Sequence, residues 1–202
     1  MGKISIERDA GGVKGLCVIT PQRYGDSRGW FMETYNQADL LAEGLEYMFV
    51  QDNHSLSTKG VLRGMHFQKN HPQAKLIRVS RGEVFDVVVD LREGSPTFGK
   101  WHGEILSADN AKQMLIPRGF AHGFLTLSDY AEFCYKCDEY YHPEDEGGVI
   151  WNDPEIGIEW PGVVGDYSAA ADASGCSLTD GTPLILSEKD KKWLRLKETF
   201  SK

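Results

Sequence analysis

The segment GVLRGMHFQ, residues 60–68, holds a fixed cation, Arg63, and a titratable imidazole, His66. The rest of it reads as a buried strand: Val61, Leu62, Met65 and Phe67 are apolar and Gly60 marks the start. A strand that only fills a core needs neither polar residue. In an ideal strand, residues three apart point to opposite faces. Arg63 and His66 can share one site only where the strand is irregular, and Gly64 between them is the residue type that marks a bulge. The segment therefore reads as one wall of a barrel, with two polar side chains entering the same pocket. A second potential cluster, Cys134 and Cys137 in EFCYKCDEYY, forms a CxxC. A zinc ribbon needs a second CxxC, and none exists. On a strand the two sulfurs diverge, so buried or half-buried free thiols are expected.

The elements that must hold these residues are short strands. Candidates are 16–20, 30–35, 47–51, 61–68, 75–80, 83–91, 100–106, 112–116, 122–127 and 131–141. In 83–91 the residues alternate with a period of two, and turn signals such as SRGE, REGSPTFG and PRGF separate the runs. Strands of this length and spacing predict a sandwich, jelly roll or barrel. Helices are few: 36–45 with Asn36 as N-cap, and a C-terminal helix over about 187–200 with Ser187 as N-cap. Residues 161–182 are rich in Gly, Ala, Ser and Asp, lack periodicity, and read as a long surface loop.

The chain has 202 residues, 41% of them apolar, and a net charge of −8. One domain over 1–202 is expected, with a core over about 15–161. The charge argues against a broad nucleic-acid or anionic-membrane surface. It leaves room for a small anionic ligand met by a local cluster of Arg and Lys. The sequence lacks an apolar run near the roughly 20 residues that cross a bilayer. The N-terminal MGKISIERDAGG lacks a signal-peptide core, so a cytoplasmic protein is expected.

IPRGFAHGF (116–124) ends a strand with Pro-x-Gly-x-x-His and resembles the second half-motif of the cupin superfamily, a double-stranded jelly roll. In metal-binding cupins this His is a ligand beside an earlier His-x-His. Here the earlier strand offers His66 flanked by Gly64 and Gln68, too few ligands to converge on an ion. Longer motifs are similar to those of the dTDP-4-dehydrorhamnose 3,5-epimerase family: GDSRGWFMETYN (25–36), VQDNHS (50–55), VLRGMHFQ (61–68), GEVFDVVVDLREGSPTFGKW (82–101), IPRGFAHGFLTLSDYAEFCYKCDEYY (116–141), WNDPEIGIEWP (151–161) and LSEKD (186–190).

The resemblance implies an all-β cupin-type jelly roll that works without cofactor or metal. It would invert both carbons flanking the keto group of a dTDP-linked 4-keto-6-deoxyhexose, in dTDP-L-rhamnose biosynthesis. A proton next to a carbonyl leaves only with a positioned base and a stabilised enolate oxygen, and inversion needs an acid on the opposite face. By resemblance His66 is the base, Asp190 its paired carboxylate, Lys75 the enolate stabiliser and Tyr135 the opposing acid. Arg63 and His122 would meet sugar and phosphate. Arg28, Glu33, Gln51, Asn53 and Tyr141 would hold the nucleotide, with Arg28 and Glu33 reaching a neighbouring subunit's site in a homodimer.

Each residue also has a plainer reading. Asp190 stands three after Ser187 and could complete a capping turn. Tyr135 could be a buried aromatic, Lys75 a surface cation, His122 a structural histidine and His66 a core one. Asp86 breaks an apolar strand without an evident direction. The chain departs from the family pattern in the length of 161–182, and in Trp30 and Met32 where phenylalanines are more usual. Competing functions are an epimerase of one carbon, a non-catalytic sugar-nucleotide-binding cupin, and a metal-dependent cupin oxygenase. The missing His-x-His disfavours the last.

Overall fold

A computed structural model describes residues 4–166 and 172–200. In chain order the elements are β1 (Ile4–Arg8), β2 (Cys17–Pro21), β3 (Arg23–Asp26), β4 (Gly29–Met32), α1 (Gln37–Ala42), β5 (Gln51–Thr58), β6 (Leu62–Gln68), β7 (Lys75–Arg81), β8 (Glu83–Asp90), β9 (Trp101–Ser107), β10 (Gln113–Ile116), β11 (Phe120–Thr126), β12 (Tyr130–Cys137), β13 (Glu146–Gly148), β14 (Val163–Val164), β15 (Ser177–Leu178) and α2 (Leu196–Thr199). A six-stranded sheet runs β1-β2-β10-β7-β12-β5, and a five-stranded sheet β13-β6-β11-β8-β9. The all-β jelly-roll expectation is met.

Alternation along β8 shows how the sheets pack. Val84 and Val88 join one buried cluster with Ile77, Val79, Met114, Phe124 and Phe133, drawn from both sheets. Val87 and Val89 face the other way, into a second cluster with Trp151, Ile156, Ile158, Trp160 and Leu196. The five-stranded sheet is thus buried on both faces, and its strands are accordingly apolar at both parities. On the outer face of the six-stranded sheet, Cys17, Ile19, Leu76 and Leu115 pack under Leu40 of α1 and Leu45. The Asn36 side chain caps α1 by accepting from the Ala38 amide at 3.0 Å. All four cysteines are buried and free; for Cys134 and Cys137 this is what the strand reading expects.

Three expectations are corrected. The helix expected over 187–200 is confined to a 3-10 turn at Asp190–Lys192 and the four residues of α2. Its middle is extended because the Leu194 carbonyl accepts from the Ile150 amide at 2.9 Å. Trp193 there lies so close over Gly148 that a Cβ at 148 would fall 2.2 Å from the indole. The stretch 161–182 is not wholly a surface loop. Val163–Val164 pair with Ser177–Leu178, and Ala173, Cys176 and Leu178 are buried against the five-stranded sheet; residues 167–171 of it lie outside the described residues. The strand placed at 47–51 begins instead at Gln51 and runs to Thr58. Its exposed positions, among them Asp52 and His54, disguise the alternation.

Candidate active site

Between the two sheets lies a cavity of about 320 Å³. One wall comes from the six-stranded sheet: Gln51, Asn53 and Ser55 of β5, Lys75 of β7, and Phe133, Tyr135 and Cys137 of β12. The facing wall comes from β6 and β11, with Arg63, His66, Gln68, His122 and Phe124. Tyr141, Glu146 and Lys189 complete the lining. Nine of the eleven residues singled out from sequence are placed as follows: eight line this one cavity, and Asp190 stands behind His66.

Gly64 resolves the odd spacing of Arg63 and His66. The β6–β11 register slips between His122 and Phe124, so the strict alternation breaks at that point. Gly64 has φ +132°, and a Cβ on it would stand 2.6 Å from the Cα of Gly123 on the neighbouring strand. Only two facing glycines permit that approach. Both Arg63 and His66 consequently reach the cavity. Arg63 Nε donates to Ser57 Oγ at 3.1 Å, which fixes its direction from the opposite sheet.

His66 Nε2 lies 2.5 Å from Asp190 Oδ1. The same oxygen accepts from Trp193 Nε1 at 3.2 Å, and the Asp190 amide donates to Ser187 Oγ at 3.2 Å. The cap and the pairing therefore use different parts of Asp190: its backbone closes the turn while its carboxylate holds the imidazole. Burial pushes the Asp190 carboxyl up, but the hydrogen bond and charge of His66, with help from Ser187 and Trp193, hold it below the ordinary value. Lys189 next to it ion-pairs with Glu146 at 2.7 Å, and the Tyr141 hydroxyl donates to Glu146 at 3.2 Å. These bonds pin the Asp190-bearing segment to β13, which in turn pairs with β6.

On the six-stranded wall, burial dominates the electrostatics. It lowers the Lys75 ammonium from its usual range, against the pull of Cys137, Asp86 and Glu146. It raises the Tyr135 phenol, with Cys137 adding to the rise, so the hydroxyl keeps its proton at neutral pH. It also pushes the Cys137 thiol up to about 11, only partly offset by Lys75. A thiol in that state is a neutral filler rather than a nucleophile.

Arg28 and Glu33 are not in the cavity. Arg28 sits at the exposed tip of the β3–β4 hairpin, paired with Asp26 at 2.6 Å. Glu33 follows that hairpin and accepts from Asn36 Nδ2 at 3.3 Å. Asp86, left undirected by the sequence, points to the inter-sheet side and lies 2.9 Å from His122 Nε2. Sequence reasoning passed over Glu146, Lys189, Gln68 and Gln73, which also line the cavity. Lys189 adjoins Asp190, which was the available signal for it; Glu146 had none beyond its place before two glycines. Among the described residues no group of three or more His, Cys, Asp or Glu side chains converges on a metal position.

The fold and cavity define a jelly-roll protein whose inter-sheet cleft joins a histidine–carboxylate pair on one wall to a phenol and an ammonium on the other. A family model described as dTDP-4-dehydrorhamnose 3,5-epimerase matches residues 11–198. The chain belongs to that family. A protein of Methanothermobacter thermautotrophicus named dTDP-4-dehydrorhamnose 3,5-epimerase is 51% identical over 184 residues, 91% of each chain. The crystal structure of a dTDP-6-deoxy-D-glucose-3,5-epimerase from Legionella pneumophila, in complex with dTDP-4-keto-L-rhamnose, superposes with a TM-score of 0.83. It is 44% identical and covers 96% of this chain and 93% of its own. A Streptomyces niveus protein named dTDP-4-dehydrorhamnose 3-epimerase is 40% identical, over 93% of this chain and 82% of its own.

Proposed function

We propose that this chain inverts C3 and C5 of dTDP-4-dehydro-6-deoxy-D-glucose to give dTDP-4-dehydro-L-rhamnose, in dTDP-L-rhamnose biosynthesis. The observation that carries the reading is the placement of His66–Asp190 and Tyr135 on opposite walls of one cleft. Asp190 accepts the Nε2 proton of His66 and so leaves Nδ1 as the basic nitrogen. That base takes the proton from the carbon beside the ketone. Lys75 meets the oxygen on which negative charge develops. Tyr135, still protonated, returns a proton from the other face. The reaction asks only for these acid–base groups and no redox step, so side chains suffice for it.

Arg63 suits the diphosphate, and the rim cation Lys189 adds to the positive field. His122 lies at the sugar, and Gln51, Asn53 and Tyr141 offer hydrogen bonds and an aromatic face to the nucleotide. Arg28 and Glu33 complete the nucleotide end of a partner's cleft in a homodimer, which accounts for a hairpin that stands away from its own cleft with Tyr24, Trp30 and Phe31 exposed. The protein works in the cytoplasm, where its nucleotide-sugar substrate is made.

The test is proton NMR of dTDP-4-keto-6-deoxyglucose with the protein in deuterated water. Deuterium should enter at both C3 and C5, with coupling constants of the inverted sugar. Exchange at one carbon alone would move the chain to the single-carbon activity named for its Streptomyces niveus relative. Tight binding without exchange would make it a sugar-nucleotide-binding protein.

A further inference from the structure

Residues 138–142 join β12 to the 3-10 turn at Pro143–Asp145 and belong to no strand. They carry Tyr141, which lines the cleft and is 49% exposed. Backbone groups outside a ladder need other partners, and a segment this open to solvent can take them from water. Here four consecutive residues take them from glutamine side chains. Gln73 Nε2 donates to the Glu139 carbonyl at 2.8 Å. Gln68 Nε2 donates to the Tyr140 carbonyl at 3.1 Å. The Tyr141 amide donates to Gln51 Oε1 at 3.0 Å, and the His142 amide to Gln68 Oε1 at 2.7 Å. The glutamines come from separate places: Gln68 ends β6, Gln73 lies between β6 and β7, and Gln51 begins β5. Gln68 is buried, and its Nε2 also donates to the His71 carbonyl at 2.6 Å. Its N–H groups and its oxygen are thus all spent on backbone. Ahead of them, Asp138 Oδ1 accepts from the Ala74 amide at 2.6 Å, so the segment is held from its first residue.

We propose that Gln68 and Gln73 are positioning residues for nucleotide binding: with Gln51 they clamp the backbone of residues 139–142 and hold the Tyr141 ring ready for the nucleobase of the substrate. The inference rests on the reading of the cleft as a dTDP-sugar site. The Tyr141 hydroxyl donates to Glu146 at 3.2 Å, so the backbone and the tip of the ring are fixed together. A ring that the ligand must first order returns less of its contact as affinity; a ring ordered beforehand keeps that contact whole. Gln68 has no N–H left for a ligand, so its effect on binding passes through the segment it holds. The nucleobase is remote from the reacting carbons and is gripped alike in the ground state and the transition state. The clamp therefore belongs to KM rather than to kcat.

The test measures dTDP affinity by titration calorimetry in the wild-type protein, in Gln73→Ala and in Gln68→Leu, and again with each change made on a Tyr141→Ala background. Gln73→Ala removes the bond to Glu139. Gln68→Leu fills a similar volume and removes the bonds to His71, Tyr140 and His142. Each should weaken dTDP roughly threefold to thirtyfold, Gln68→Leu the more. On the Tyr141→Ala background the same changes should cost less than about twofold, because the ring they position is gone. In turnover, KM for the 4-keto sugar should rise with the dTDP dissociation constant while kcat stays within about threefold. Amide hydrogen exchange at Tyr141 and His142 should quicken in Gln68→Leu. Unmoved dTDP affinity in both variants would overturn the proposal. Equal losses with and without the Tyr141 ring would overturn it too, and would make the glutamines direct ligands or props of the fold. Should Gln68→Leu fail to fold, Gln73→Ala decides alone. A wild-type chain that binds dTDP but turns over no 4-keto sugar would overturn the epimerase reading, while the dTDP titrations would still judge the clamp.

Discussion

The two histidine–carboxylate pairs stand side by side, yet they are built differently. In the first, the His66 side chain keeps 26% of its exposure and Asp190 only 3%. In the second, His122 keeps 10% and Asp86 none. Asp190 is delivered by a segment outside the sheets, held by a short turn and by the Lys189–Glu146 pair. Asp86 is delivered by a central strand of the five-stranded sheet. An imidazole open to the cleft with an ionised partner behind it can take a proton and give it back. One enclosed beside a carboxyl that burial pushes towards neutrality is poorly placed to exchange protons with a substrate. The same pair of side chains thus meets two environments, and solvent access is the difference between them.

The largest expected effect breaks the open pair. His66→Ala should lower deuterium exchange at both sugar carbons by roughly a hundredfold to ten-thousandfold while dTDP still binds. Exchange near the wild-type rate at either carbon would transfer the base to another residue, His122 first. Next comes Tyr135→Phe, which leaves His66 and Asp190 untouched. His66 can still remove a proton and return one to the same face. Deuterium should enter the sugar with retention while the inverted product falls roughly a hundredfold. Sugar coupling constants distinguish the two outcomes. Equal loss of exchange and inversion would give Tyr135 a role in shaping the cleft instead.

Asp190→Asn should cost less than either, roughly tenfold to a hundredfold in kcat, because the residue orients and polarises the base rather than meeting the substrate. An amide in that place also presents a donor where the imidazole N–H must be accepted. A change confined to KM would break the comparison, since it would place Asp190 in binding.

These residues show what a sequence exposes. His66, Asp190 and Tyr135 stood out because they lie in long ordered motifs, and the strand that carries His66 and Arg63 advertised its irregularity through Gly64. Strand β5 escaped because its outward positions Asp52, His54 and Thr58 are charged or polar, Leu56 being the exception, and its inward ones, Gln51, Asn53 and Ser55, are polar as well: a strand that lines a wet cleft carries no hydrophobic period. The C-terminal helix was overextended because Trp193, Leu194 and Leu196 fit a helical spacing. Tertiary contacts won there, with Trp193 seated on Gly148 and the Leu194 carbonyl bonded to Ile150. Asp86 showed only as a charge in an apolar run. Its direction depended on a partner 36 residues away, which no local pattern encodes. The small residues of 161–182 read as loop, although Ala173 and Cys176 are small because they are packed.

The smallest effect separates the two carboxylates by the sign of their dependence on pH. Asp190 has its folded value held below the ordinary 3.8, by His66 first among the groups that outweigh burial. It therefore adds stability at pH values above 3.8, and that stability is lost as pH falls through the lower folded value. Asp86 has its folded value raised above 3.8 by burial. It subtracts stability at neutral pH, and the penalty disappears as pH falls through the folded value towards 3.8. Thermal melts of Asp190→Asn should accordingly lie below wild type at pH 7 by on the order of a few °C, with the gap narrowing towards pH 3. Melts of Asp86→Asn should match or exceed wild type at pH 7, with the difference shrinking as the acid range is entered. Tm at neutral pH would move in opposite directions in the two variants. Parallel shifts of the same sign would mean that Asp86 is held as firmly ionised as Asp190, and that enclosure alone does not set the two pairs apart.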